Sequence, residues 1–309
     1  MQKRMPSAEV VARAQSMGAA GEKWLEELGS MIAALESEWN LRVGEAINGG
    51  THAFVAPADG HDGAAYILKI DVPDLSEGEY MNEIRTLQIA GGEGFVRLFR
   101  VDSARRAALL ERLGPRLKDK GYPVDKQIGI LCDALVRTWR MPVDNPALPD
   151  GADCIAWFRS FIAQSWEELG RPCSEAVIAR AMEYLADREA NLNPAQYVLI
   201  HGDVHNNNAL ESLSEPGAFK LIDPDGIFYE PGYDLGVLMR EWPGEYAENP
   251  LENGLRRCAL LSRLTGADED SIWQWGFLQT VSTSFVLMQI GQKALAEKML
   301  AVAEAWTVR

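Results

Sequence analysis

The chain has 309 residues, of which 47% are hydrophobic, and a formal net charge of −15 at pH 7. This length and apolar content suffice for two lobes with sizeable cores, and they exclude a largely disordered protein. The strong negative charge disfavours nucleic acid and anionic membranes as partners and favours a cationic ligand. We therefore expect a folded protein that binds neither nucleic acid nor membrane.

The lack of a visible targeting signal and the spacing of the cysteines predict a cytoplasmic location. No apolar run approaches the roughly 18 residues that span a bilayer, and no apolar segment follows the two cations of residues 1–6, as a secretory signal would require. Cys132, Cys154, Cys173 and Cys258 show neither C-x-x-C spacing nor a disulfide framework. Buried or idle thiols in a reducing compartment are the expected state.

The first part of the chain has the pattern of helices followed by a sheet. Apolar residues recur at helical spacing across residues 8–39, which predicts one or two amphipathic helices. A further helix is predicted to begin at Ser76, because Ser76 and Glu79 match a capping box. Five segments have the composition of short strands and together predict a five-stranded antiparallel sheet. They are residues 42–47, 52–56, 64–70, 95–101 and 107–113.

From Pro115 onward the pattern is mostly helical, interrupted by short apolar strands near residues 197–200 and 219–222. We therefore expect an α+β fold of two lobes. The first lobe, residues 1–113, is the expected nucleotide-binding part and carries an N-terminal helical extension. The second, residues 114–309, is the expected catalytic and substrate-binding part.

Lys69 lies in a predicted strand, on the same face as Ile67. A buried ammonium group without a partner is costly, so a lysine on this face needs an anion. A nucleotide phosphate and a carboxylate of the following helix would both serve, and Ile67 would share contact with the nucleotide. The alternative is a solubilising lysine on an edge strand.

Two polar segments follow the short strands of the second lobe. Residues 201–208 read His-Gly-Asp-Val-His-Asn-Asn-Asn, which fits the pattern H-x-D-x-x-x-x-N, and residues 221–226 read Leu-Ile-Asp-Pro-Asp-Gly. In phosphoryl transfer, such an aspartate receives the proton of the acceptor hydroxyl, while the asparagine and a second aspartate hold magnesium. We therefore predict Asp203 as the catalytic residue and Asn208 and Asp223 as metal ligands. The alternative is a polar loop between two buried strands.

The loop resembles the catalytic loop of the aminoglycoside phosphotransferase family of the kinase-like superfamily. Further stretches are similar to its streptomycin 6-phosphotransferase and hydroxyurea phosphotransferase branch. They are residues 48–55, 94–98, 109–113, 157–160 and 222–224. The resemblance runs from about residue 40 to the end, and it implies a protein-kinase-like fold with a small five-stranded lobe and a larger, mainly helical lobe.

The resemblance also implies a set of nucleotide-binding residues. Lys69 would pair with Glu83 of the following helix, with Glu79 as the rival partner. His205 would donate to the γ-phosphate. Backbone groups would act at the remaining positions, which are Asn48, Gly50 and Thr51 in a loop over the phosphates and Glu111 and Leu113 at a hinge that pairs with adenine. A plain hairpin turn is the alternative for residues 48–51.

Candidates for binding the acceptor are acidic and aromatic residues of the second lobe, because an aminoglycoside carries several ammonium groups. Glu167 and Glu168 follow Trp166, Glu230 lies after Asp223, and Glu241 precedes Trp242. We predict Glu167, Glu230, Glu241 and Trp242 as acceptor-binding residues. The alternative for each acid is a solvated surface position.

The predicted function is ATP- and magnesium-dependent phosphorylation of a hydroxyl of a small molecule, an antibiotic of the aminoglycoside class. GTP is the alternative nucleotide. Two other functions stay open, namely a metabolic or detoxifying kinase for a neutral or amphiphilic alcohol and a nucleotide-binding scaffold without turnover. The expected oligomeric state is a monomer or a homodimer.

Overall fold

The computed structural model describes residues 5–48, 50–73, 76–143 and 147–309. The chain forms two compact units. The first extends to Gly114 and includes Ser212–Pro216, and the second comprises Pro115–Glu211 and Gly217–Arg309. The assignment of nucleotide binding to the first unit and of catalysis to the second stays a prediction.

The first unit contains a five-stranded antiparallel sheet preceded by two helices, with a third helix inserted. The strand order is β1-β2-β3-β5-β4, so β3 is the central strand. The elements are α1 (Ala8–Ser16), α2 (Ala19–Trp39), β1 (Leu41–Val43), β2 (Ala53–Gly60), β3 (Ala65–Asp71), α3 (Glu77–Ala90), β4 (Leu98–Asp102) and β5 (Ala107–Glu111). The predicted antiparallel sheet is confirmed.

Local sequence explains where these elements begin and end. Ser76 accepts a hydrogen bond from the Glu79 amide while the Glu79 carboxylate accepts one from the Ser76 amide, so the predicted capping box of α3 is present. The first strand ends at Val43, earlier than predicted, because the next facing residue on β2 is Pro57. The Gly44 amide donates to the Pro57 carbonyl, but Pro57 has no amide proton to return the bond.

The N-terminal helices belong to the core of the first unit. Trp24, Leu28, Ile32 and Leu35 recur at helical spacing along α2 and are all buried. They join one apolar cluster with residues of β2 and β3, among them Phe54, Leu68 and Ile70. The extension is therefore part of the packing that holds the central strand in place.

The second unit is mainly helical, with two short antiparallel strand pairs. The pairs are β6 (Val198–Ile200) with β9 (Ile227–Tyr229), and β7 (Ala209–Glu211) with β8 (Phe219–Leu221). The helices are α4 (Val124–Trp139), α5 (Gly151–Glu168), α6 (Glu175–Ala190), α7 (Pro231–Arg240), α8 (Pro250–Thr265), α9 (Glu269–Gln289) and α10 (Lys293–Trp306). None of the helices in the described ranges is long and apolar enough to cross a membrane.

Helices α7 and α9 pack against each other through glycines. A Cβ atom at Gly236 would lie 2.6 Å from the Cβ atom of Trp275, and one at Gly276 would lie 2.6 Å from that of Met239. Any larger residue would push the helices apart, so both positions require glycine. This close contact fixes α7, and α7 in turn holds the loop between β6 and β7.

Candidate active site

Lys69 lies on the central strand β3 and is buried. Its Nζ donates to Glu83 Oε1 of α3 over 2.6 Å. The carboxylate of the rival, Glu79, is instead bound to the Ser76 amide in the capping box. Because β3 has a neighbouring strand on each side, the edge-strand interpretation of Lys69 is wrong.

Asp71 is a second carboxylate beside Lys69, which the motif analysis missed. Its Oδ1 lies 3.6 Å from Lys69 Nζ, and its side chain is 3% exposed. Burial and the Asp71 charge raise the pKa of Tyr80 to about 12. Strand alternation contained the signal, because residues two apart on a strand share a face. Lys69 therefore lies between two carboxylates, those of Glu83 and Asp71.

The other predicted nucleotide residues of this unit lie on β3 or at strand ends. Ile67 is half-buried on β3. Asn48, Gly50 and Thr51 are exposed in the segment between β1 and β2, and the Gly50 carbonyl faces the Ser7 hydroxyl at 3.5 Å. Glu111 is the last residue of β5, and Leu113 follows in irregular backbone. These positions leave the predicted backbone contacts as predictions.

In the second unit, His201 braces the loop 201–208 from inside. Its buried ring makes a 2.8 Å hydrogen bond through Nε2 with the Ile222 carbonyl, and Nδ1 lies 3.1 Å from the Asp203 amide. Since the carbonyl can only accept and the amide can only donate, the proton is on Nε2. Burial lowers the pKa of His201 to about 4, which keeps the ring neutral. His201 therefore braces the loop as a neutral ring.

Asp234 ties the same loop to α7. Its carboxylate accepts from the His201 amide at 3.0 Å, from the Gly202 amide at 2.8 Å and from Trp139 Nε1 at 3.2 Å. Burial raises the pKa of Asp234 to about 6, against the opposing effect of these donors. Glu230 occupies the N-cap of α7 and Asp234 lies inside the helix, so Asp234 ties the loop to α7 through its side chain.

Asp203 is the accessible carboxylate of this loop, with 41% of its side chain exposed. Oδ1 accepts from Arg240 Nη2 at 2.5 Å, and Oδ2 lies 3.5 Å from His205 Nε2. Burial alone would raise the pKa of Asp203, but the His205 hydrogen bond and the Arg240 charge outweigh it and hold the pKa well below its usual range. Burial lowers the pKa of His205, yet Asp203 and Glu241 leave it raised. Arg240 is a site residue that the sequence interpretation missed.

Asn208 and Asp223 lie at one end of the β7–β8 pair. The Ile222 amide donates to the Asn208 carbonyl over 2.9 Å, which extends the strand ladder and sets Asp223 one residue from this contact. Asn208 Nδ2 donates to the Asp203 carbonyl over 3.2 Å, so its Oδ1 is the atom suited to a cation. Asp223 adopts a left-handed backbone (φ 54°), which aspartate tolerates better than most residues.

These two residues fit magnesium, which takes few protein oxygens and completes its shell with phosphate and water. Across the part of the chain that the structure describes, no group of three or more His, Cys, Asp or Glu side chains could hold a metal ion. A magnesium site with one amide and one carboxylate ligand is compatible with that finding.

The four predicted acceptor residues have different surroundings. Glu230 accepts from Trp275 Nε1 at 2.7 Å and from Arg188 Nη1 at 3.3 Å, so both its oxygens are engaged within the fold. Glu167 forms an exposed ion pair with Arg171, one turn along.

Glu241 is the candidate acid near Asp203. Burial raises the pKa of Glu241, against the charges of Arg240 and His205, and Asp203 raises it further. Trp242 follows in a left-handed conformation (φ 53°) with the Arg257 guanidinium over its ring. The structure therefore brings Glu241 to the catalytic loop and gives Glu230 structural partners.

The fold and the catalytic loop define a kinase-like phosphotransferase. The solved structure of Plasmodium vivax ethanolamine kinase superposes with a TM-score of 0.59 at 13% identity, covering 85% of this chain and 82% of that one. This likeness confirms the predicted kinase-like α+β fold.

Sequence comparison identifies the family. Residues 38–291 match the family model of the aminoglycoside/hydroxyurea antibiotic resistance kinases. The chain is 24% identical to streptomycin 6-kinase of Streptomyces glaucescens, covering 97% of this chain and 96% of that protein. It is 30% identical to hydroxyurea phosphotransferase of Kitasatospora aureofaciens, covering 97% and 85%. The chain therefore belongs to this kinase family and is a nucleotide-using phosphotransferase.

Proposed function

We propose that this enzyme transfers the γ-phosphoryl group of ATP to a hydroxyl of a small antibiotic, with magnesium as cofactor, and thereby confers resistance. The observation that carries the proposal is the accessible carboxylate of Asp203. It lies in a loop in which the Asn208 side chain donates to the Asp203 backbone carbonyl. Membership of an antibiotic kinase family supports the same reaction. A cytoplasmic location is proposed with it, because ATP is supplied there.

Each group has a distinct task in this proposal. Lys69, oriented by Glu83, binds nucleotide phosphate. Asn208 and Asp223 hold magnesium, which neutralises charge on the transferring phosphoryl group when bound. Asp203 accepts a hydrogen bond from the acceptor hydroxyl and orients its oxygen. Nδ1 of His205 accepts from the Asn207 amide at 3.2 Å, so its proton is on Nε2, which faces Asp203 Oδ2 at 3.5 Å and would be shared with a phosphate oxygen.

The low pKa of Asp203 bears on the mechanism. A carboxylate held far below its usual pKa is a weak base, and catalysis by a general base is best when its pKa lies near the operating pH. Phosphoryl transfer passes through a loose transition state in which the hydroxyl needs orientation more than early deprotonation. We therefore assign Asp203 an orienting role, with the proton leaving late.

Glu241 and the names of the two relatives bear on the class of acceptor. Glu241 could pair with an ammonium or guanidinium group, and one relative is named for streptomycin, which is cationic. The other is named for hydroxyurea, which is small and neutral. We propose a cationic antibiotic as the acceptor and keep a neutral hydroxyl compound as the second candidate.

The function is tested by incubating the enzyme with ATP or GTP, magnesium and a panel of hydroxylated antibiotics that includes streptomycin and hydroxyurea. Mass spectrometry of the products should show a gain of one phosphoryl group on one acceptor, and the Asp203→Asn enzyme should form this product at least ~10²-fold more slowly. If ATP is bound but no acceptor in a broad panel of antibiotics and simple alcohols is phosphorylated, the scaffold alternative replaces this proposal.

Salt dependence separates the two acceptor classes. Because ion pairs are screened, the acceptor KM should rise with ionic strength for a cationic substrate while the ATP KM changes less. Glu241→Gln should then raise the acceptor KM, and Glu189→Gln, an exposed acid paired with Arg159, is the matched control. An acceptor KM that is insensitive to both salt and Glu241→Gln indicates the neutral class.

A further inference from the structure

Arg240, the last residue of α7, is held on several sides. Its Nη2 donates to Asp203 Oδ1, and its Nη1 donates to Gln279 Oε1 over 3.1 Å and to the Thr283 hydroxyl. Gln279 and Thr283 both belong to α9. The guanidinium group therefore connects the carboxylate of Asp203 to α9, which is largely buried.

From this arrangement we infer that Arg240 is a positioning residue for the reaction, an inference that rests on the proposed role of Asp203. Arg240 fixes Oδ1 and thereby sets the plane of the carboxylate. Oδ2, which faces His205 at 3.5 Å, is left to accept the hydrogen bond of the acceptor hydroxyl. A carboxylate oxygen has two acceptor sites, so Oδ2 can serve His205 and the acceptor together.

Helix α7 positions the loop at two points. Asp234 binds the backbone amides of His201 and Gly202, and Arg240, six residues later, binds the side chain of Asp203. One helix therefore holds both the backbone immediately before Asp203 and the Asp203 side chain. A displacement of about 1 Å of a reacting group can cost about 10²-fold in rate, so such a double attachment has a direct consequence for turnover.

The experiment compares Arg240→Gln with Arg188→Gln. Arg188 is also buried and also binds a carboxylate, that of Glu230, but it has no contact with Asp203. Arg240→Gln should lower kcat by about 10²-fold, with the dissociation constant of ADP, measured by calorimetry, within about twofold of the wild type. Arg188→Gln should lower the melting temperature by about as much as Arg240→Gln does, but its kcat should stay within about threefold of the wild type.

Two milder variants remain informative if Arg240→Gln folds poorly. Arg240→Lys keeps the charge but cannot form the planar set of bonds, so kcat should lie between the wild type and Arg240→Gln. Thr283→Val is nearly isosteric, leaves Asp203 untouched and should lower kcat by about 3- to 10-fold. Low millimolar guanidinium should restore part of the kcat of Arg240→Ala and none of Asp203→Asn.

A double-mutant cycle provides the decisive outcome. If Arg240 acts through Asp203, Arg240→Gln should have little further effect on kcat in the Asp203→Asn enzyme. If Arg240→Gln keeps wild-type kcat while Asp203→Asn does not, the positioning role is refuted and the phosphotransferase function stands. Equal, additive losses in both backgrounds also refute it. If Asp203→Asn itself retains full turnover, the failure belongs to the proposed function.

Discussion

The two units of this enzyme contain ion clusters of opposite polarity. In the first, one cation, Lys69, lies between Glu83 and Asp71. In the second, one anion, Asp203, lies between Arg240 and His205. The Lys69 side chain is 10% exposed, whereas that of Asp203 is 41% exposed. Each of these two groups lies beside side chains that can carry the opposite charge, and Asp203 is the more exposed of the two.

This difference indicates different tasks. The two carboxylates beside Lys69 orient its ammonium group and offset its positive charge. An aspartate held by the Arg240 charge and by the His205 hydrogen bond keeps its charge over the whole neutral range but is a weak base. The first cluster should therefore determine nucleotide affinity, and the second should determine turnover.

The largest effect is expected for Asp203→Asn. The substitution removes the orienting carboxylate and leaves Arg240 and His205 without their anion, so kcat should fall by at least ~10²-fold. ADP binding, measured by calorimetry, should be nearly unchanged, because the proposed contacts of Asp203 are with the acceptor. Turnover close to that of the wild type would remove Asp203 from the mechanism and would contradict the assignment of turnover to the second cluster.

The metal pair sharpens the comparison, because it concerns the second unit alone. Asn208→Ala and Asp223→Ala should each raise the magnesium concentration needed for half-maximal activity by about 10-fold or more, since either ligand is needed for the coordination geometry. The double variant should be little worse than either single one. Independent, additive losses in magnesium titrations would show that the two residues do not share one ion.

Several of these features could be predicted from sequence because their residues are close along the chain. The capping box of α3, the loop 201–208 and the Asn208–Asp223 pair each depend on local spacing. Arg240 could not be found in this way, since it follows Asp203 by 37 residues and reaches it only through the packing of α7 on α9.

The surroundings of Glu230 were hidden for the same reason, because Arg188 and Trp275 are 42 and 45 residues away. Asp71 is a different case. It lies two residues from Lys69, so strand alternation contained the information, but the family pattern directs attention to the helix glutamate. Spacing along the chain predicted the reacting groups, and tertiary packing determines most of their partners.

Within the first unit, Glu83→Gln should weaken nucleotide binding. Lys69 would keep Asp71 beside it and would be drawn toward that side, so the ATP KM should rise by about 10-fold with a smaller change in kcat. Glu79→Gln is the matched control on the same helix, because its carboxylate binds the Ser76 amide. Equal effects of both substitutions on the ATP KM would indicate general damage to α3.

The smallest effect, and the one that tests the polarity argument most directly, is expected for Asp71→Asn. The substitution removes one of two anions beside Lys69 and keeps the 2.6 Å bond to Glu83, so the lysine stays oriented while its neighbourhood gains positive charge. Phosphate binding should then improve, with the dissociation constants of ADP and ATP falling by about threefold and more strongly at low salt.

Asp59→Asn is the control, an acid on β2 that pairs with Arg112. Glu83→Gln and Asp71→Asn thus remove carboxylates from the same lysine with opposite predicted signs. If Asp71→Asn weakens nucleotide binding as Glu83→Gln does, Asp71 is a second orienting partner and the charge of the cluster does not limit affinity.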